Sequence, residues 1–188
     1  SSRSTCQNSF MLKSKTEIPV VGLDTKLACT TYVYNIESAE IVSVQKTIAE
    51  ELYYCWWQFG KGEVDLDKWR ITSPGYTCFI CAEIRFSEGM LKNFPESQKI
   101  DMASYLNTYF IPGSKKKTYS DYFLGEKEGF NNQNIRNDLT FNDKIFIVFK
   151  FDKTLTDFKA GFALEDGESI DKNCNSVQNF KVSNKKSL

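Results

Sequence analysis

The segment Tyr76-Thr77-Cys78-Phe79-Ile80-Cys81-Ala82-Glu83-Ile84-Arg85-Phe86 decides how this chain folds and what its cysteines can do. It mixes aromatic and β-branched residues, holds no proline or glycine, and follows the turn signal Ser73-Pro74-Gly75. That composition predicts a β-strand. Period-two alternation puts Cys78, Ile80, Ala82, Ile84 and Phe86 on one face and Phe79, Cys81, Glu83 and Arg85 on the other.

Residues three apart in a strand point to opposite faces, so the sulfurs of Cys78 and Cys81 should not meet. A dithiol oxidoreductase holds such a pair at a helix N-terminus, where the dipole lowers the first thiol's pKa. A strand lacks that setting. Zinc is the second chemistry a CxxC suggests, but a finger or ribbon needs another close pair of ligands. The other cysteines stand far apart, at 6, 29, 55 and 174, and the chain has no histidine. Covalent cross-linking is the favoured reading. Six cysteines allow fifteen pairings. The expected set joins Cys6 to Cys29 across neighbouring N-terminal strands. Cys55, on a long helix, then ties to one strand cysteine and Cys174 to the other.

Losing histidine also removes the usual general base near neutral pH and the commonest metal ligand. No Ser- or Cys-based triad can be assembled with it, and no carboxylate spacing singles out a general acid and base. No catalytic residue, metal or cofactor is assigned. The 24 basic and 24 acidic side chains cancel. Balance of that kind gives no counterion-release drive toward nucleic acid and no broad attraction to anionic lipid. Unpaired thiols at this cysteine density are unusual, which favours an oxidising, extracytoplasmic compartment.

The rest of the chain reads outward from the strand. Phe10–Lys15 and Ala28–Ile36 read as strands, linked through Pro19 and Gly22. In the second, Ala28, Thr30, Tyr32, Tyr34 and Ile36 share a face. A helix follows over 38–59, with Ile41, Val44, Ile48, Leu52, Cys55, Trp56 and Phe59 as its apolar stripe and Gly60 as its cap. A loop carrying Trp69 leads to the strand. Beyond it, a helix is expected over 96–110, with Phe110 turned inward. A short helix runs from Thr118 through Phe123, with Asp121 at capping-box spacing. Residues 131–138 read as a surface loop. Ile145-Phe146-Ile147-Val148-Phe149 is apolar on both faces, as a covered central strand should be. Phe158, Ala160, Phe162 and Leu164 alternate as its partner, and the chain then turns polar.

Strands mixed with helices without regular alternation argue for one α+β domain over residues 1–182. Its sheet, mixed or antiparallel, would pack against one long and one or two shorter helices, stabilised by disulfides. Residues 183–188 read as a polar tail.

Two surface features invite function. Tyr53, Tyr54, Trp56 and Trp57 cluster on the long helix, and part of the cluster leaves the core stripe. Such rings can stack a sugar or a base, or lie against the sheet, and packing is the favoured reading. Tyr53, Trp57 and the loop residue Trp69 are the candidate binding surface. Gly113-Ser114-Lys115-Lys116-Lys117-Thr118 lacks the second glycine of a phosphate-binding loop and follows a helix, so it reads as a solvated basic turn.

Two stretches taken together carry a resemblance: Glu50-Glu51-Leu52-Tyr53-Tyr54-Cys55-Trp56-Trp57-Gln58-Phe59-Gly60-Lys61-Gly62 and Thr77-Cys78-Phe79-Ile80-Cys81. A helix ending in Cys-Trp and Phe-Gly-x-Gly, followed by a CxxC strand, resembles uncharacterised archaeal membrane-anchored proteins with a small cysteine-containing ectodomain. Ile111-Pro112-Gly113 and Lys117-Thr118-Tyr119 fit the same pattern, which spans roughly residues 40–125. The resemblance implies an N-terminal membrane helix, here trimmed away, with Cys6 just outside the membrane. It carries no reaction. The expectation is a non-enzymatic extracytoplasmic domain acting in binding or assembly at the cell surface. Its partner would be a protein or glycan, not nucleic acid, and it would meet the membrane only through that missing anchor. The rival is a thiol-disulfide or metal-binding protein centred on Cys78 and Cys81.

Overall fold

The computed structural model describes residues 2–15, 27–38, 40–62, 76–95, 97–124, 139–141, 144–153, 158–178 and 180–185. The chain forms a disulfide-stabilised α+β domain around one six-stranded mixed sheet. The strands are β1 (Thr30–Ile36), β2 (Tyr76–Phe86), β3 (Ile145–Lys153), β4 (Phe158–Glu165), β5 (Ser176–Gln178) and β6 (Lys181–Lys185). Five lie side by side in the order β4-β3-β2-β1-β6, and β5 pairs with β2. The β2/β3 and β3/β4 pairs are antiparallel; β1/β2, β1/β6 and β2/β5 are parallel. The helices are α1 (Ser2–Lys15), α2 (Ile41–Gln58), α3 (Glu88–Leu91), α4 (Met102–Thr108), α5 (Tyr119–Leu124) and α6 (Gly167–Asn173).

The decisive strand lies third in that row, with one irregularity. Its pairing with β3 slips between Ile80 and Ala82, so Cys81 is an extra residue in a β-bulge. A bulge shifts the phase of alternation beyond it. Ala82 and Ile84 consequently join Phe79 and Cys81 in the main core, whereas Ile80 packs on the opposite side. This corrects the strict alternation expected along the whole strand, while Cys78 and Cys81 still part to opposite faces.

The broad face is covered by α1 and α2, and α4 and α5 pack against α2. Phe59 of α2's C-cap stacks on Phe149 of β3, ring centroids 4.3 Å apart, and Phe10 of α1 meets Phe59 edge-on at 5.0 Å. Such contacts add about 0.5–1.5 kcal/mol each beyond area burial. The predicted stripe of α2 is the buried one: Val44, Ile48, Leu52, Cys55 and Trp56 all face the core. Gly60 ends the helix at φ 78°, the left-handed geometry that glycine adopts without a Cβ penalty.

Among the described residues, the narrow face packs Ile80, Val148 and Ala163 against Ile170 of α6. Asp166 caps α6, accepting the Ser169 N–H at 2.7 Å. Behind it the chain runs along β2 as β5 and then along β1 as β6. Where the two strands hand over, the carbonyl of Ile80 accepts the Thr31 hydroxyl at 2.7 Å.

Several expected elements differ. Phe10–Lys15 belongs to a helix, not a strand, because Cys6 and Phe10 stand four apart and bury on one helical face. The helix expected over 96–110 starts at Met102, because Asp101 caps it and Ile100 donates its N–H to Leu139. It ends before Tyr109, so Phe110 is exposed rather than inward. Residues 183–185 pair with Tyr32–Tyr34 as part of β6 instead of fraying. The reciprocal Thr118/Asp121 capping box is present as expected. The Pro19–Gly22 link, the loop with Trp69 and the loop at 131–138 lie outside the described residues.

Candidate functional site

The sulfurs are settled first. Cys6 bonds Cys29, Cys55 bonds Cys81, and Cys78 bonds Cys174, leaving no free cysteine. Cys81 is tied to α2 on the broad face, and Cys78 to the end of α6 on the narrow one. The CxxC is thus two halves of separate staples, and neither sulfur is available as a thiolate nucleophile or ligand. Cys6 reaches Cys29 from a helix, not from a neighbouring strand as expected. Full oxidation of six cysteines is the state an oxidising compartment maintains, and it points to an extracytoplasmic location. Among the described residues, no helix is long and apolar enough to cross a membrane.

The sequence-predicted surface residues Tyr53 and Trp57 come together; Trp69 lies outside the described residues. They line a cleft of ≈ 160 Å³ with Tyr54 of α2 and with Arg3 and Ser4 of α1. Helical geometry explains the wall, since residues 53 and 57 stand one turn apart. Trp56, one step round, turns inward to the core. The Trp57 carbonyl accepts the Gln7 side chain at 2.8 Å, which fixes α1 beside the cleft.

Beneath the cleft sits a buried polar cluster. The guanidinium of Arg3 lies 4.1 Å from the Tyr54 ring centroid and 4.5 Å from that of Tyr32. It also pairs with the carboxylate of Glu51, as does the hydroxyl of Tyr34. Both bonds fall on Glu51 Oε1, while Oε2 is buried with no hydrogen-bond partner among the described residues. Burial, then the charge of Glu51, pushes the Tyr34 phenol well above its ordinary range, so it stays a donor. Arg3 is held by two rings and one carboxylate, which fixes a charge-balanced guanidinium at the cleft.

Sequence reasoning missed Arg3, Ser4 and the role of Glu51. Glu51 left a signal: it stands seven residues after Val44 and three after Ile48, inside the apolar stripe. A carboxylate there must find a buried partner. Arg3 left none, because its partners come from α2 and β1.

Tyrosines continue away from the cleft. Tyr53 lies 4.7 Å from Tyr122, and Tyr105 stacks on Tyr109 at 4.2 Å. Burial raises Tyr105 to about 12, with Tyr109 and Glu50 adding to the shift. The strip offers ring faces and hydroxyl edges for contact.

Comparison of the chain with protein-family models, with curated proteins and with solved structures finds no match.

Proposed function

We propose that this protein is a non-enzymatic, disulfide-stabilised extracytoplasmic domain that acts in binding or assembly at the cell surface. The cleft of Tyr53, Tyr54 and Trp57 over Arg3 is its contact point, and that cleft is the observation that carries the reading. Its volume suits one ring: an apolar cavity of about 150 Å³ takes a single benzene, and drug-sized sites start at roughly 300 Å³. Aromatic walls stack the flat face of a ring, while Arg3 and Ser4 offer donors to its polar edge. A sugar residue of a surface glycan has both parts. The ring side chain of a protein partner is the other occupant. Anchoring through a membrane helix, as the resemblance to archaeal anchored ectodomains implies, belongs to the same proposal.

The test is tryptophan emission during titration with a panel of soluble oligosaccharides. At least one should shift the emission of the wild type and leave Trp57→Ala unchanged. If no oligosaccharide moves the signal, and Trp57→Ala and Tyr53→Ala leave attachment of the protein to cells intact, the cleft is not the contact point.

A further inference from the structure

We propose that the loop Tyr109–Thr118 docks the protein on an anionic lipid surface. The loop is built, not merely linked. Phe110 bridges Thr118, Ile111 donates its N–H to the Lys117 carbonyl at 3.1 Å, and Tyr119 donates to the Tyr109 carbonyl at 3.1 Å. At its tip Gly113 takes φ 80°, and the Ser114 hydroxyl accepts the N–H groups of Lys116 and Lys117 at 3.2 and 3.0 Å. This scaffold presents Lys115, Lys116 and Lys117 to solvent in one short arc.

Apolar surface accompanies the charge. Phe110 is 49% exposed and Tyr109 43%, two of the large hydrophobic side chains left uncovered among the described residues. Neither is needed to close the core. Tyr109 stacks on Tyr105, so the exposed rings stand on a tyrosine base rather than on a loose tether.

The occupant follows from charge and shape. The chain as a whole is neutral, but residues 102–120 hold three lysines and no carboxylate. Asp101 and Asp121 flank this stretch, each bonded to the N-terminus of its own helix, and the three lysines outnumber them. Glu50, which faces the tyrosine base, is paired with Lys46 at 3.9 Å. The local field is therefore positive, and it complements an anionic surface. The loop also sets an exposed phenylalanine and the Ile111-Pro112 pair beside its three exposed lysines. That combination fits a planar fluid interface, where ammonium groups meet headgroups and rings settle at the acyl boundary. A soluble polyanion would use the lysines and leave Phe110 idle.

Each lysine held near an anionic bilayer strengthens binding by about fivefold at modest salt, so three supply on the order of a hundredfold. The experiment is sedimentation of the intact protein with vesicles of phosphatidylcholine alone or mixed with phosphatidylglycerol. Wild type should sediment with the mixed vesicles only and be released as salt shortens the Debye length. Lys115→Glu, Lys116→Glu and Lys117→Glu combined should lower the partition at least tenfold. Phe110→Ser should lower it severalfold while leaving the salt dependence intact. All four side chains are exposed, and unchanged near-ultraviolet dichroism would verify the fold of each variant. The proposal is overturned if wild type ignores the mixed vesicles, if it binds both vesicle types alike, or if the triple variant binds as well. Heparin binding that is insensitive to Phe110→Ser, with no vesicle binding, would overturn it too and mark a polyanion patch.

Discussion

The two faces of the sheet are held by different means. The broad face rests on area: Phe10, Phe59, Phe79 and Phe149 meet there under α1 and α2, with many buried aliphatic residues around them. Among the described residues, the narrow face buries Ile80, Val148 and Ala163 of the sheet against Ile170 of a seven-residue helix. Its polar remainder includes the buried ion pair Lys150–Glu165. Among the described residues this cluster is smaller than the one on the broad face and supplies less hydrophobic drive, at about 25 cal/mol per Å² buried. The bridge from Cys78 to Cys174, closing a separation of 96 residues, does what area does on the other side. One strand feeds both devices, because its cysteines part to opposite faces.

The largest test of this contrast removes the bridges one at a time. By chain entropy, closing a loop of that length is worth roughly 4.7 kcal/mol. The Cys55–Cys81 bridge, separated by 26 residues, is worth about 3.5 on the same basis. Urea unfolding of Cys78→Ser/Cys174→Ser should therefore show the greater loss. Hydrogen exchange should open β5, β6 and α6 in that variant first. If the broad-face pair costs more, the narrow face does not depend on its staple.

Cavities test the other half. Phe149 touches Phe10, Phe59 and Trp56, so Phe149→Ala should cost about 3–5 kcal/mol. Ile170→Ala, at the edge of the small cluster, should fall near 2 kcal/mol, the low end for its type. Equal losses would mean that the two faces pack alike.

These contrasts were partly legible in the residues. The α2 stripe, the CxxC strand, the apolar β3 and the capping box are local patterns, and each formed over the residues expected, although the strand changes phase at Cys81. The bulge at Cys81 was not legible, since nothing in Ile80-Cys81-Ala82 differs from regular strand composition; pairing with β3 decides it. The short elements α3, α6 and β5 were missed because three to seven residues carry too little periodicity. α1 was misread because Phe10–Lys15 alone does not display the spacing to Cys6. Of the cleft, the α2 wall was readable and the α1 floor was not. Arg3 meets Glu51 only through tertiary packing, 48 positions apart in sequence.

That buried pair sharpens the comparison, because it lies on the face otherwise held by area. Removing one partner strands the other charge, which costs about 3–5 kcal/mol when burial is complete. Arg3 retains 12% exposure, so Arg3→Met should sit near 3 kcal/mol. Combining it with Glu51→Gln removes the stranded charge, keeps an acceptor for the Tyr34 hydroxyl and should recover most of the loss. A double variant no more stable than Arg3→Met would mean that Arg3 acts through Tyr32 and Tyr54 stacking, not through charge.

The smallest effect concerns a helix end on the broad face. Asp101 caps α4, accepting the Ser104 N–H at 3.0 Å and its hydroxyl at 2.6 Å. Those bonds, the hydroxyl's first, hold its carboxyl below the ordinary aspartate range. A folded pKa below the unfolded value of about 3.9 means the contribution is complete above that pH. It fades as pH falls through the folded value. Asp101→Ala should cost about 1 kcal/mol at neutral pH. Asp101→Asn keeps an acceptor without a titration, so its stability should match wild type more closely at neutral pH and fall less steeply in acid. Since α4 packs against α2 on the side held by area, loss of this cap should leave α6 and the Cys78–Cys174 end untouched in hydrogen exchange. Loosening of α6 in Asp101→Ala would show that the two faces are not independent.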